Sequence, residues 1–334
     1  MRIIFLLLFL NNIILFGETL KIATYNVENL FDLEKSGYEY KEYIPYTKAN
    51  WNERTYNIKL KNIAKVIKDI DADIIALQEI ESLKALKDLR FTLKRIGLYY
   101  PYYKIANLKN TTVKVALLSK IPFVYTTEIA VTSSYKYRNI LEAKFKLHNK
   151  ALYLLVNHWK SKAGPESMRI ISAKKLQKRV QELGTNKNII ALGDFNSDYE
   201  EYIKFKRKRK LNNTDGITGI NHILGTINYK NNSKNTTINR GDFYNLWYDE
   251  QNNTKRFSYI YRGKKEAMDS ILITNALLDG QGIEYKTDSI HAFSPSYLFR
   301  KKSLNRWYIK WTKPRRHYGK GYSDHLPVIA EFTY

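Results

Sequence analysis

Ile189-Ile190-Ala191-Leu192-Gly193-Asp194-Phe195-Asn196 is the stretch on which the reading of this chain turns. Four apolar residues in a row, bounded by polar ones, have the length of a strand buried on both faces. The strand then runs into a carboxylate and an amide, groups that a core does not choose. An Asp or Asn after a strand is ordinarily a turn former. Here the arrangement recurs. Tyr25-Asn26-Val27-Glu28-Asn29 follows an apolar run from Leu20, Gln78-Glu79 follows Ile74 to Leu77, and Asn157-His158 follows Leu154 to Val156. Met268-Asp269 opens another strand, and Ser323-Asp324-His325 precedes the last one. Strands laid side by side bring their ends together, so these polar tips can converge on one rim.

Around the tips, strand-like and helix-like segments alternate. Ile58, Ile63, Ile67 and Ile70 give Asn52 to Ile70 a helical period, and Leu83, Leu86, Leu89, Leu93 and Ile96 mark a second amphipathic helix. Pro165 can open a third helix that runs to about Leu183, with Gly184 ending it. Val113 to Leu118, the alternating Leu141 to Leu147, Ala151 to Val156, Phe257 to Tyr261, Ser270 to Thr274 and Leu326 to Phe332 read as strands. Many strands come in consecutive pairs and helices are fewer. That pattern favours an α+β fold of two face-to-face mixed sheets with helices outside. No linker rich in Pro, Gly or Ser divides the chain, so 18–334 reads as one domain. Asn212 to Asn239, dense in Asn, Thr and Gly, is expected to be a long surface loop.

Residues 1–17 carry Arg2, an apolar stretch interrupted by Asn11-Asn12, and Gly17 at the exit. They read as a signal peptide, too short and too interrupted to span a bilayer, with a buried first strand or a retained anchor as alternatives. The expected location is therefore periplasmic or secreted, with no stable membrane span after cleavage. The 334 residues contain no cysteine, which excludes a disulfide scaffold, thiolate zinc sites and a thiol nucleophile. With 44% hydrophobic residues the chain can bury a core. Its formal charge of +24 points to a polyanionic partner, nucleic acid or anionic lipid.

The chemistry at the tips is selective. Glu79, Asp194, Asp269 and Asp324, with Asn26 and Asn196, are hard oxygen donors that suit Mg²⁺, Mn²⁺ or Ca²⁺ rather than Zn²⁺. His158 and His325 beside carboxylates can supply a base and an acid. No serine elbow or phosphate-cradling glycine loop is present, which disfavours acyl transfer and ordinary nucleotide hydrolysis.

Taken together, seven motifs resemble the endonuclease/exonuclease/phosphatase, or DNase I-like, superfamily: Thr24-to-Phe31, Ile74-to-Glu79, Arg138-Asn139-Ile140-Leu141, Asn157-to-Lys162, Gly193-Asp194-Phe195-Asn196, Met268-to-Leu272 and Ser323-to-Pro327. They stand in the family's order, and the Asn157 and Asn26 motifs look most like its bacterial secreted-nuclease branch. The resemblance implies a four-layer α/β/β/α sandwich and metal-assisted phosphodiester cleavage. It implies Glu79 as principal metal ligand, with Asn26 nearby and Asp324 sharing. Asp194 and Asn196 would position the attacking water and the phosphate. His325, oriented by Asp269, would be the base or an electrostatic clamp. His158 would contact the scissile phosphate, and Arg138 would add positive charge. The chain departs from the pattern in one place: no acidic partner for His158 is apparent, since the Val113 strand offers only Lys114.

Substrate is a separate question, because a fold hosts many. Lys206, Arg207 and Arg209 belong to a basic run, and Arg315 and Arg316 to a second cluster interleaved with Trp307, Tyr308 and Trp311. Basic residues mixed with aromatics fit backbone contact plus base stacking, and Lys160 would join them at the phosphate. The expectation is a monomeric, metal-dependent nuclease acting on DNA, with RNA also open and little sequence specificity. A lipid (sphingomyelinase-like) or inositol-phosphate phosphoesterase is the alternative within hydrolases. A non-catalytic basic binding protein is the alternative outside them.

Overall fold

The computed structural model describes residues 17–205, 210–229 and 241–334. In chain order these form β1 (Thr19–Leu30), α1 (Glu53–Ile70), β2 (Ile74–Ile80), α2 (Leu83–Arg95), β3 (Tyr102–Ile105), β4 (Lys114–Ser119), β5 (Tyr125–Ile129), β6 (Ile140–Leu147), β7 (Lys150–His158), α3 (Glu166–Leu183) and β8 (Asn188–Asp194). There follow β9 (Tyr244–Asn245), β10 (Tyr259–Tyr261), β11 (Lys264–Glu266), β12 (Asp269–Ile273), β13 (Glu284–Tyr285), β14 (His291–Ala292), β15 (Phe299–Arg300), β16 (Ser303–Leu304), β17 (Ile309–Lys310), β18 (Arg316–His317) and β19 (Val328–Thr333).

Two mixed sheets result. The first has the order β13-β19-β1-β2-β4-β3, with β14 also on β19, and the second the order β5-β6-β7-β8-β12-β9. Each contains one parallel pair, β1 with β2 and β7 with β8, among antiparallel neighbours. In each pair both strands end on the same rim, which is where the polar tips lie.

The alternation of a strand decides the layers. Ile22, Ala76 and Leu117 face inward and meet Leu154, Leu192 and Ile271 of the other sheet. Their neighbours Ala23, Ile75 and Leu118 face outward onto Leu60, Ile63 and Ile67 of α1 and Leu86 and Leu89 of α2. On the opposite side, Leu155 and Ala191 meet Ala173, Leu176 and Val180 of α3. The four-layer α/β/β/α sandwich that the resemblance implied is therefore present, with the two face-to-face sheets that the residue pattern favoured.

Local signals set the helix ends. Asn52 accepts from the Thr55 amide and Thr55 returns the bond, a reciprocal cap for α1. Ser82 caps α2 through the Ala85 amide. Pro165 precedes α3, and Gly184, at φ +104°, follows it.

The 212–239 loop is on the surface over 212–217 as expected but departs from expectation over 218–226; 230–239 lie outside the described residues. Residues 219–223 form a single wide helical turn whose Ile220, followed by Leu224, is buried against α3. Polar composition suggested surface here, but the polar groups satisfy one another in the interior. Asn221 Nδ2 donates to Tyr199 O at 2.7 Å, Thr226 Oγ1 to Ile220 O at 2.9 Å, and the Gly219 amide to Glu166 Oε1 at 2.8 Å.

Candidate active site

At the shared rim the strands stop being regular. The β1–β2 register slips between Asn26 and Leu30, and the β2–β4 register slips between Gln78 and Ile80. Glu28, Asn29, Glu79 and Asn196 all take left-handed backbone, at φ +53°, +61°, +67° and +48°. Non-glycine residues there cost on the order of 1–3 kcal/mol each, and such costs collect where function needs an unusual side-chain direction. The bulges turn Glu28 and Glu79 out of the strand alternation and toward the rim. Gly193 has a different task. A Cβ on it would sit 2.0 Å from the carbonyl oxygen of Asn157. Only glycine lets β8 approach β7 this closely, where Asn157 pairs with Gly193 and His158 with Asp194.

The tips enclose a cavity of about 630 Å³ whose walls include Glu79, Arg138, His158, Asp194, Asn196, Asp324 and His325. Asn26 and Asp269 are buried behind it and hold the wall in place. Asn26 Nδ2 donates to Asp194 Oδ2 at 3.0 Å, joining the first sheet to the second. The Asn196 amide donates to Asp194 Oδ1 at 2.8 Å, and its Nδ2 to Asp194 Oδ2 at 3.0 Å. Ser323 Oγ donates to the Asn26 carbonyl at 2.6 Å and accepts from the His325 amide at 3.1 Å.

His325 Nδ1 lies 2.6 Å from Asp269 Oδ2. That bond leaves Nε2 free to face the cavity, 3.9 Å from Asp324 Oδ1. Burial alone would lower the pKa of His325. Asp269, with Asp194 and Asp324 behind it, overcomes burial and holds it well above the usual imidazole value. His158 behaves oppositely. Burial, then Arg138 and His325, push its pKa well below the usual value. Its Nε2 is 3.5 Å from Asp194 Oδ2 and 3.8 Å from Glu79 Oε1. The ring is therefore neutral near pH 7 despite the nearby carboxylates, because burial and its two cationic neighbours disfavour the charged form. Nδ1 is buried without a hydrogen-bond partner among the described residues. Among the described residues no carboxylate orients His158 through Nδ1, in line with the departure noted in the sequence.

The carboxylates press on one another. Burial and then Asp324 raise the pKa of Glu79. Burial lifts Asp194 to about 7, opposed by His325 and reinforced by Asp269 and Glu79. Clustered, desolvated carboxylates of this kind fit a hard dication, which would relieve the repulsion. Glu79 and Asp324 would supply the oxygens for such an ion, with the Asn26 amide behind. Asp194, Asp269 and His325 also offer ligand atoms within 4.8 Å of one another. There the His325 Nδ1 is already committed to Asp269, which makes that trio an oriented imidazole rather than a metal cage.

Arg138 reaches the cavity with Nη1 tied to the Trp159 carbonyl at 3.2 Å. Lys162, not Lys160, lines the wall, and its Nζ pairs with Glu201 at 2.6 Å and Glu266 at 3.1 Å. Lys160 is half-buried outside it. Arg315 and Arg316 border two other clefts. Lys206, Arg207 and Arg209 lie outside the described residues. Trp307, expected to be exposed among the basic residues, is buried, and its Nε1 donates to His317 Nδ1 at 2.8 Å.

Sequence reasoning gave no role to Glu28, Tyr40, Tyr259 or Lys162, and placed Arg306 only within the basic cluster expected at the site's edge. Arg306 bridges the site's edge. Its Nε donates to Glu28 Oε1 at 2.9 Å and its Nη2 lies 3.1 Å from Asp324 Oδ2. Glu28 sits inside a motif already singled out, so its position was visible and its partner was not.

Solved structures share this fold. The fold resembles humanized D. rerio TDP2 carrying 14 mutations, at 13% identity and a TM-score of 0.58, covering 95% of this chain and 99% of that one. It resembles an endonuclease/exonuclease/phosphatase family protein from Bacteroides thetaiotaomicron, at 14% identity and 0.56, covering 95% and 98%. It also resembles a mannosyl-6-phosphatase from Bacteroides thetaiotaomicron, at 15% identity and 0.56, covering 94% and 100%. No curated protein matches the sequence at a significant level. The family model for the Endonuclease/Exonuclease/phosphatase family matches residues 21–333, the whole of the sandwich and every strand tip. The chain therefore belongs to the Endonuclease/Exonuclease/phosphatase family and is a hydrolase of phosphoester bonds.

Proposed function

We propose that this hydrolase is a nuclease that cleaves phosphodiester bonds in nucleic acid, DNA first among them, with Mg²⁺ as its metal and little sequence specificity. The observation that carries the reading is the single cavity in which a carboxylate-oriented imidazole, a second imidazole, Arg138 and repelling carboxylates meet. Attack on a phosphodiester builds negative charge on phosphoryl oxygens, and fixed positive groups lower that barrier. A divalent ion held by Glu79 and Asp324, with Asn26 behind, would supply Lewis-acid stabilisation of that charge.

The side chains do the rest. Asp269 fixes the His325 ring so that Nε2 faces the cavity, where the charged imidazolium that Asp269 favours clamps a phosphoryl oxygen. Asp194, held by Asn26 and Asn196, orients the water. Neutral His158 and Arg138 bind the phosphate, and Lys162, paired with Glu201 and Glu266, holds the wall in place. The net charge of +24 favours a polymer of phosphates over a single one. One structural neighbour, D. rerio TDP2, is described with a single strand DNA product. We also propose that residues 1–17 direct export and are removed, leaving one monomeric domain from 18 to 334 in the periplasm or outside the cell.

The test is turnover of plasmid DNA, RNA, sphingomyelin and mannose 6-phosphate by the purified protein, each with Mg²⁺ or EDTA. Metal-dependent nicking is expected. Lipid or sugar-phosphate turnover without nicking would overturn the nuclease reading and keep the hydrolase.

A further inference from the structure

The active-site cavity does not end at its own rim. Tyr40 lines it and also lines a second cleft of about 590 Å³, bounded by Lys41, Glu42, Thr312, Lys313, Pro314 and Arg315. That volume lies within the roughly 300–1,000 Å³ usual for small-ligand sites.

Trp311 stands next to this wall with 78% of its surface exposed. The other tryptophans, at positions 51, 159, 247 and 307, are 2% exposed or less. Leaving one indole in water forgoes the gain of burying a large apolar ring, so its placement asks for a reason. Its setting supplies one. The Arg315 guanidinium covers one face of the ring at 3.9 Å from the centroid, and Arg315 Nη1 is held by Glu42 Oε1 at 2.8 Å. The Glu42 carbonyl is held in turn by the buried His317 Nε2 at 2.8 Å. The β17–β18 pairing, Ile309 with His317, pins the segment between. Glu42, the one carboxylate on the cleft, is thus neutralised by Arg315. The indole is backed on one face by Arg315 and otherwise largely exposed at the cleft's edge, whose lining Lys41 and Lys313 are exposed as well.

We infer that this cleft is a nucleotide subsite: it holds an unpaired nucleotide that flanks the scissile phosphate, its base stacked on Trp311 and its phosphates facing Lys41 and Lys313. The inference rests on the nucleic-acid reading above and names the form of substrate, a single strand. In a duplex both faces of each base are already stacked on neighbours. An aromatic platform backed by arginine therefore selects a base that has been freed. The continuity through Tyr40 places such a nucleotide in the same run of chain as the phosphate at His158 and His325.

The experiment is equilibrium binding of a short fluorescent oligodeoxythymidylate, and of a duplex of equal length, to the full-length protein in EDTA. Trp311→Ala is expected to weaken single-strand binding about tenfold and duplex binding less than about twofold, with Trp311→Phe retaining most of the affinity. Because Trp311 is exposed, the variant should fold, and its melting temperature checks that. Equal losses on both probes, or none on the single strand, would overturn the subsite. The nuclease reading fails separately. Selective loss of affinity in a protein that cleaves nothing keeps the subsite and sinks the nuclease, whereas cleavage with unaltered affinity does the reverse.

Discussion

Asp269 bonds His325 through Oδ2, while its Oδ1 is buried without a hydrogen-bond partner among the described residues. A buried carboxylate kept in this state is worth its desolvation only if it fixes and charges the imidazole. Asp269→Asn leaves the shape but removes that charge, and kcat should fall on the order of a hundredfold or more with little change in KM. A KM effect alone would contradict the role. His317 offers a test of a different kind. Its Nδ1 accepts from Trp307 and its Nε2 faces the Glu42 carbonyl, so the ring must be neutral. Burial accordingly lowers its pKa from 6.5 to about 4. As pH falls through that window the unfolded chain binds the proton first, so stability present above pH 6.5 is lost toward pH 4. Urea midpoints near neutrality and at about pH 4.5 should show the native protein losing about 2–3 kcal/mol more than His317→Gln. Parallel losses would contradict the assignment.

The strand is the element that makes the site. Each tip was legible in the sequence because apolar runs of about strand length ended in residues a core excludes. What the sequence withheld was the partner across the rim. Asn26 and Asp194 are 168 residues apart, and Glu28 and Arg306 are 278 apart. No periodicity links such pairs; only sheet order does. Lys160 and Lys162 show the limit on a shorter scale. After β7 ends, the chain turns under Arg169, whose Nη1 holds the carbonyls of Lys160, Ser161 and Gly164, and the turn selects Lys162 for the wall. Gly193 carries the element-scale prediction. In Gly193→Ala the new methyl collides with Asn157 O at 2.0 Å and must adopt φ +134°, so β7 and β8 part at the rim. Stability should drop by about 2 kcal/mol or more, with turnover lost before the fold is. Normal activity and an unshifted melting temperature would show that the close approach is not required.

At the scale of the molecule, two sheets that share a core bring together groups from Asn26 to His325, and a charge of +24 surrounds the result. The sandwich itself could be inferred from strand pairs and flanking helices. The burial of Trp307 and of the 219–223 turn could not, because composition reads polarity and not the partners that satisfy it. Charge repulsion at the centre carries the main consequence. Glu79 is half-buried with Asp324 at the same rim, and desolvation and that like charge raise its pKa, so the apo site is held against its own electrostatics. Removing the Glu79 charge should leave the fold as stable or more so while removing function. The most direct measurement is the initial rate of plasmid nicking by the native protein and by Glu79→Gln, with Mg²⁺ and with EDTA, beside their melting temperatures. Nicking is expected to stop in EDTA and return with Mg²⁺, and to fall on the order of a hundredfold or more in Glu79→Gln at an equal or higher melting temperature. Nicking that survives EDTA, or a fully active Glu79→Gln, would contradict a site organised around a divalent cation.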